Sequence, residues 1–264
     1  MRDPVGEVVE GIDRAWLERA ARADPVAHAF AVYDILYAPE RVRFVSLRED
    51  GTTTAYLLLW YGGPVPVVHW VGLPPTWPRL LSGVPGRPLL AIVPTAVAGP
   101  LRERLGPGET YPIEVLARPP HRPPPAPVDP ARVRPLERSQ TSLLRALCDD
   151  EPELAASAYR TIDVGAEPVW GAFDGDRLVG VARTAVALPT VWMIGGVFTR
   201  PSVRRRGFGH ELTAAVTRAA IAAGALPALG VRTDNRPARR IYDRLGFAPV
   251  DHRIWLDAGA HLAP

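Results

Sequence analysis

Lysine is missing altogether, so all 31 basic side chains are arginine. That excludes a nucleotide P-loop, whose Gly-Lys-Ser/Thr core sets an ammonium against the phosphates. One cysteine, Cys148, rules out an intrachain disulfide and fits a reducing cytoplasm. It falls on the apolar face of a predicted helix and reads as a buried, inert thiol rather than a nucleophile. No apolar run approaches the roughly 18 residues of a membrane-crossing helix. The first residues are acidic and amphipathic, without the basic head and apolar core of a secretory signal. A cytoplasmic location with no membrane partner is therefore expected. The net charge is only +3, too small to predict a nucleic-acid partner. The six histidines, His69 and His252 among them, show no metal-ligand spacing, so no metal is expected.

Apolar material is plentiful: 47% of the 264 residues are hydrophobic, enough for one large core or two modest ones. Between Arg118 and Pro130 proline is so dense that neither a helix nor an interior strand can run through. This stretch reads as a stiff spacer. It divides the chain into residues 1–117, a linker at 118–130 and a second domain at 131–264. The first domain alternates helix and strand. Helices are predicted at Ile12–Ala23, Val26–Tyr37 and Ala96–Leu105. Strands are predicted at Arg41–Leu47, Thr54–Tyr61, Val65–Val71, Leu89–Pro94 and Tyr111–Leu116.

In the second domain, Arg132–Leu136 is a candidate strand and Ser139 a candidate cap for a helix through Leu147. Apolar runs at Val169–Phe173 and Leu178–Val186 flank Asp174-Gly175-Asp176, a hairpin turn signal. A third apolar strand, Val191–Phe198, leads into Arg204-Arg205-Arg206-Gly207-Phe208-Gly209-His210 and then an amphipathic helix stopped at Gly224. A strand, a basic turn with two glycines and a helix N-terminus together suit a phosphate. The first-turn N–H groups lack partners, the dipole favours anions, and glycine lets the main chain approach closely. A dinucleotide fingerprint would need a third glycine where Leu212 stands. Taken alone, the hexapeptide reads equally well as a basic turn capping a helix.

After a short strand, Ala228–Arg232, the run Asn235 to Phe247 reads as a capped helix. Asn235 is the N-cap, Pro237 lies in the first turn, Ala238, Ile241, Tyr242 and Leu245 share one face, and Gly246 is the stop. Arg253–Leu256 closes the predicted order β-α-β-β-β-α-β-α-β.

Arg204-x-x-Gly207-x-Gly209 resembles the pyrophosphate loop of the GNAT (Gcn5-related N-acetyltransferase) superfamily. Asn235-x-x-Ala238-x-x-x-Tyr242-x-x-x-Gly246-Phe247 resembles that superfamily's second signature, in the same order and spacing. The resemblance covers about Arg132 to Leu256 and implies an α/β (α+β) fold. Its second domain would hold a central mixed, mostly antiparallel sheet flanked by helices. The first domain is similar in layout to the N-terminal lobe of two-lobed, glycine N-acyltransferase-like bacterial GNAT proteins, a degenerate copy of the fold. Where its own phosphate loop should follow Val71, it reads Gly72-Leu73-Pro74-Pro75-Thr76-Trp77-Pro78, so poor coenzyme A binding is expected there.

The resemblance implies an acyl-CoA-dependent N-acyltransferase, with acetyl-CoA as co-substrate and a small-molecule or peptide amine as acceptor. It implies main-chain contacts to the pantetheine arm from Val197, Phe198 and Thr199. The pyrophosphate would be held by Arg204, Arg205, Arg206, Gly207, Phe208, Gly209 and His210, with Arg200 turned toward the same phosphates. Asn235 would contact the cofactor, and Tyr242 would donate a proton to the departing thiolate. Tyr242 also suits a core tyrosine. The arginines Arg236, Arg239, Arg240 and Arg244 read as a solvated helix face.

The chain departs from the family where a Glu or Asp commonly stands on the strand before the loop, since Gly195 and Gly196 are found there. They suit a β-bulge or room for a substrate. A base would then be Asp163, Glu167 or a water chain, unless the amine arrives neutral. A non-catalytic acyl-CoA-binding sensor or scaffold is the alternative. Acceptor choice would lie in the loops near Ala155–Glu167. A monomer or a homodimer is expected.

Overall fold

The computed structural model describes residues 6–155, 159, 162–165 and 167–260. Two compact units form. One holds the residues up to Glu114 together with those from Asp251 onward, and the other holds Val115–Val250.

The first unit contains strand β1 (Glu7–Glu10), helices α1 (Arg14–Ala23) and α2 (Ala29–Tyr37), and strands β2 (Val42–Glu49), β3 (Thr52–Trp60), β4 (Val67–Val71) and β5 (Leu89–Pro94). Helix α3 (Thr95–Leu105) and strand β6 (Glu109–Ala117) follow. Asp13 caps α1 by accepting from the Trp16 N–H at 3.0 Å. Strands β1 to β4 are antiparallel neighbours, β4 and β5 are parallel, and β12 (Ala248–Ala258) pairs antiparallel with β5, from Arg253 opposite Pro94 to Ala258 opposite Leu89. The core on one face gathers Leu57, Val68, Trp70, Leu80, Val93, Leu101 and Leu256.

The predicted closing strand therefore exists, but it completes the sheet of the first unit rather than the second. Its alternation explains the choice: Leu256 and Ala258 bury in the first unit's core while Arg253 donates to the Trp70 carbonyl at 2.6 Å. β1 has no counterpart among the predicted strands.

The second unit runs β7 (Val133–Pro135), α4 (Thr141–Asp150), α5 (Pro152–Ala155), β8 (Val169–Asp174), β9 (Arg177–Ala187), β10 (Val191–Thr199), α6 (Phe208–Ala222), β11 (Leu226–Arg232) and α7 (Arg236–Arg244). Strands β7 to β10 are antiparallel and β10–β11 is parallel. The β8–β9 turn uses Gly175 at φ +62°, which the Asp-Gly-Asp signal predicts. One core, with Trp170, Ile194, Phe208, Leu212, Leu229 and Tyr242, lies under α6 and α7. A second, with Leu144, Leu147, Cys148, Tyr159 and Val181, lies under α4. Cys148 is buried there as a free thiol.

Two expectations change here. Ser139 is not the cap of α4; Glu137 and Gln140 form a reciprocal capping box on the single turn Arg138–Gln140, and the helix proper starts at Thr141. The proline-rich segment is not a free spacer. The Arg118 N–H donates to the Pro227 carbonyl at 2.9 Å, and its guanidinium Nε donates to the Leu245 carbonyl at 2.8 Å. Proline removes donors from the segment's own backbone, so arginines supply the anchoring bonds.

Candidate functional site

The site is built where β10 leaves its neighbours. Pairing between β10 and β11 runs from Val191 opposite Leu226 to Ile194 opposite Leu229 and then stops, although both strands continue. On its other side β10 carries a bulge, since Gly195 opposes Arg183 while Phe198 opposes Val181. An extra residue bends a strand and raises its twist. Gly196 sits in the bulge at φ +60°, a conformation costly for side-chain-bearing residues. The Tyr159 hydroxyl donates to the Gly196 carbonyl at 2.8 Å, and a Cβ on Gly196 would come within 2.7 Å of that ring. The two glycines therefore form the bulge, one of the two uses expected of them. Beyond it, Val197, Phe198 and Thr199 continue β10 as half-buried residues.

The loop after β10 opens with one turn, Pro201–Val203, and reaches α6 through two left-handed residues, Arg205 at φ +68° and Gly207 at φ +92°. Gly207 is the N-cap of the 15-residue α6, and no side chain caps that end. Phe208 turns into the core, with the Arg132 guanidinium carbon 4.5 Å and the Arg206 guanidinium carbon 5.4 Å from its ring centre. Gly209 lies against α7: a Cβ there would stand 3.3 Å from the Ile241 Cδ1 and 3.9 Å from the Thr199 Cγ2. Its missing side chain brings the end of β10, the start of α6 and the middle of α7 into one neighbourhood. His210 is half-buried on the first turn of α6.

The arginines divide. Arg200, expected to turn toward phosphates, is buried. Its guanidinium donates to Asp150 at 2.8 Å, to Glu151 at 3.1 Å and to the Leu178 carbonyl at 3.3 Å, pinning the loop to the end of α4. A buried guanidinium held by two carboxylates and a carbonyl is a structural anchor. Arg206 forms a two-pronged pair with Asp174 at 2.6 and 2.9 Å, which holds that carboxyl below its ordinary range. Arg204 donates through Nε to the Thr199 carbonyl at 3.2 Å. Arg204 and Arg205 are exposed. On α7, Arg239 pairs with Asp243 at 2.8 Å, while Arg236, Arg240 and Arg244 are exposed.

Asn235 caps α7, its Oδ1 accepting from the Ala238 N–H at 3.2 Å. Leu245 and Gly246 end the helix as expected: Gly246 takes φ +83°, and the Phe247 N–H donates back to the Tyr242 carbonyl at 3.0 Å. Tyr242 is 7% exposed and packs edge-on against Phe247, with ring centres 6.1 Å apart. Burial pushes its phenol up to about 12. The same core holds Ile194, Phe208 and Leu229, with Val197 and Ile241 packed on it. Tyr242 thus lies in the apolar mass beneath the β10–β11 divergence.

The carboxylates named as bases sit differently. Glu167 pairs with Arg183 at 3.1 Å, opposite the bulge, and is half-buried. Asp163 pairs with Arg138 at 3.4 Å, with both side chains largely exposed. Within Ala155–Glu167, residues 156–158, 160–161 and 166 lie outside the described residues. Among the described residues, no group of three or more His, Cys, Asp or Glu side chains could hold a metal ion. Sequence reasoning missed Tyr159 as the brace of the bulge and Arg118 as an anchor. The first carries no local signal, and the second hides in the proline run.

Residues 169–256 match the family model described as FR47-like protein. No curated protein matches the sequence. Among solved structures, a Drosophila protein superposes with a TM-score of 0.73 at 14% identity, covering 97% of this chain and 98% of its own. A GCN5-related N-acetyltransferase-like protein from Streptococcus suis gives 0.63 at 14% identity, over 92% and 98% of the two chains. A tandem GNAT protein from the clavulanic acid biosynthesis pathway gives 0.57 at 16% identity, over 97% and 99%. At these identities the likeness is one of fold, and it extends over both units. The chain thus shares the fold of solved GNAT proteins, and residues 169–256 are similar to the FR47-like family.

Proposed function

We propose that the protein is an acyl-CoA-dependent N-acetyltransferase that moves an acetyl group from acetyl-CoA to a primary amine of a small molecule or peptide, in a ternary complex. The observation that carries this reading is the uncapped start of α6 beside the left-handed Arg205 and Gly207. The first-turn N–H groups at Phe208, Gly209 and His210 have no acceptor within the helix, and the dipole adds positive potential, so these residues fit a diphosphate. Arg204 and Arg205 add charge from the exposed side.

Past Ile194 the edge of β10 no longer pairs with β11, which leaves main-chain groups near Val197, Phe198 and Thr199 for an extended amide such as a pantetheine arm. Acetyl-CoA supplies the thioester and the thiol leaving group. Tyr242 is protonated at neutral pH, as an ordinary phenol is, and gives its proton to the departing thiolate. Burial, which raises the phenol, makes it a weaker acid for that task and has to be offset by its position. Asn235, at the mouth of α7, contacts the cofactor while serving as the cap. Glu167 is the carboxylate best placed beside the bulge to take a proton from, or orient, the incoming amine.

The test is thiol release from acetyl-CoA across a broad panel of amines, in the native protein and in Tyr242→Phe. Turnover with some amine, lost in the variant while coenzyme A affinity holds, supports the reading. Tight cofactor binding with no turnover on any amine defeats it. That second outcome would favour an acyl-CoA-binding sensor or scaffold, a reading motivated by the carboxylate-free Gly195–Gly196 bulge and by the ion-paired state of Glu167.

A further inference from the structure

One side chain ties the bulge of β10 to the core under α4. Gly195 lies opposite Arg183 and Phe198 opposite Val181, which leaves Gly196 and Val197 against Ala182 alone. The extra residue of a bulge is not held by the regular ladder. Tyr159 holds it instead. Its hydroxyl donates to the Gly196 carbonyl at 2.8 Å, and its ring fills the space a Cβ on Gly196 would take, with Cε2 at 2.7 Å and the hydroxyl oxygen at 3.0 Å. Tyr159 is 2% exposed and packs with Leu144, Leu147, Cys148 and Val181, whereas Gly196 is exposed. The bond therefore joins a packed core to a peptide at the surface.

Any carbonyl would satisfy a buried phenol. This one holds a peptide that follows a left-handed residue at φ +60° and leads directly into Val197–Thr199. The Gly196–Val197 peptide is planar and trans, so its N–H points opposite to its carbonyl. Fixing the carbonyl on Tyr159 therefore fixes the Val197 N–H on the far side. Burial raises the Tyr159 phenol well above its ordinary value, against the opposing influence of Arg183 nearby. The hydroxyl stays a donor at any working pH and is no acid, which separates its role from that of Tyr242.

We infer that Tyr159 is a positioning residue: it sets the Gly196–Val197 peptide so that the Val197 N–H meets the acetyl carbonyl oxygen of the co-substrate. The inference rests on the proposed function, which lays the acyl carrier along Val197, Phe198 and Thr199. A preset N–H stabilises the charge that develops on a carbonyl oxygen under attack by an amine, with no reorganisation at that moment. Such a donor serves the transition state more than the bound ground state, so its aim governs turnover more than affinity.

Two measurements on the full chain decide the matter. The first is calorimetric titration with coenzyme A and with the ketone analogue of acetyl-coenzyme A in which CH2 replaces the thioester sulfur. The native protein should prefer the ketone by about fivefold, the scale of one neutral hydrogen bond. Tyr159→Phe should lose that preference and keep its affinity for coenzyme A. The second is acetyl transfer, where Tyr159→Phe should lower kcat by about 10- to 100-fold and leave the KM for acetyl-CoA within about twofold. Gly196→Ala, whose methyl displaces the peptide from an intact Tyr159, should behave alike, and it decides the matter if Tyr159→Phe does not fold. Equal native affinity for the two ligands overturns the inference. So does a Tyr159→Phe protein that keeps its kcat, or one that loses melting temperature and turnover together while still preferring the ketone. Each of these leaves the proposed function standing. Binding of neither ligand by the native protein overturns both.

Discussion

Both units lay antiparallel strands side by side and then add a parallel partner, β5 beside β4 in one and β11 beside β10 in the other. In each, the parallel pairing covers only three or four residues, from Val67 opposite Leu90 to His69 opposite Ile92, and from Val191 opposite Leu226 to Ile194 opposite Leu229. The units part at the connection between those strands. The second crosses through an arginine-rich loop and the 15-residue α6. The first crosses through a seven-residue turn, Trp77–Gly83, whose Leu80 plugs the core. A sheet of one topology can thus be closed by a helix, with an open N-terminus for an anion, or by a buried plug that offers none. Chemistry in this chain is expected from the first arrangement alone.

That contrast can be broken most directly at its tyrosines. Tyr242→Phe should lower acetyl transfer by about 10²- to 10⁴-fold, the usual weight of a positioned proton donor, with little change in melting temperature. Tyr56, fully buried in the first unit with its hydroxyl 2.9 Å from the His28 Nδ1, should behave in reverse. Tyr56→Phe should leave turnover alone and cost about 1 kcal/mol of stability by denaturant titration. Loss of turnover in Tyr56→Phe would undo the division of labour.

Glycines sharpen it next. Gly72 follows β4 at φ +85°, where a Cβ would meet the Thr54 carbonyl oxygen at 2.5 Å. Gly72→Ala should destabilise the fold by roughly 2 kcal/mol and spare coenzyme A affinity. Gly209→Val, by crowding Ile241 at the start of α6, should weaken coenzyme A binding about tenfold as judged by calorimetry. Equal effects of the two on cofactor affinity would count against the contrast.

The smallest effects concern protons in the first unit. Burial raises Asp34 from its ordinary range to about 7, so the folded state holds that proton more tightly than the unfolded chain does. Its contribution is fully present below the unfolded value near 4 and is lost as pH rises through about 7. Burial acts on His69 in the opposite sense, lowering it to about 4, so its contribution is present above the unfolded value near 6.5 and is lost as pH falls through about 4. In melts recorded between pH 5 and pH 8, Asp34→Asn should flatten the decline on the alkaline side, on the order of 2 kcal/mol at most. An unchanged slope would show that Asp34 ionises without cost.

Much of this was legible in the residues. The Asp174-Gly175-Asp176 turn, the Asn235 cap, the Gly246 stop and the loop between β10 and α6 all rest on local backbone preferences, which a sequence displays directly. The glycines of the bulge were also legible, because only a special conformation calls for two in a strand. Illegible were the features that depend on distant partners. Arg200 looks like its neighbours until Asp150 and Glu151 arrive from α4. The proline segment looks like a spacer until Leu245, Pro227 and Arg218 accept or donate its bonds. The alternation of Arg253–Leu256 marks a strand but does not say which sheet it joins.

That last strand has a consequence for how the molecule is made. Leu89–Pro94 leaves the ribosome long before Arg253–Ala258, its antiparallel neighbour, has been translated. Until then β5 presents an open row of main-chain groups, so the earlier-born unit waits on the later one's synthesis to be finished. Cutting the gene within the proline run, the obvious place by composition, would strand the first half without the piece that seals it.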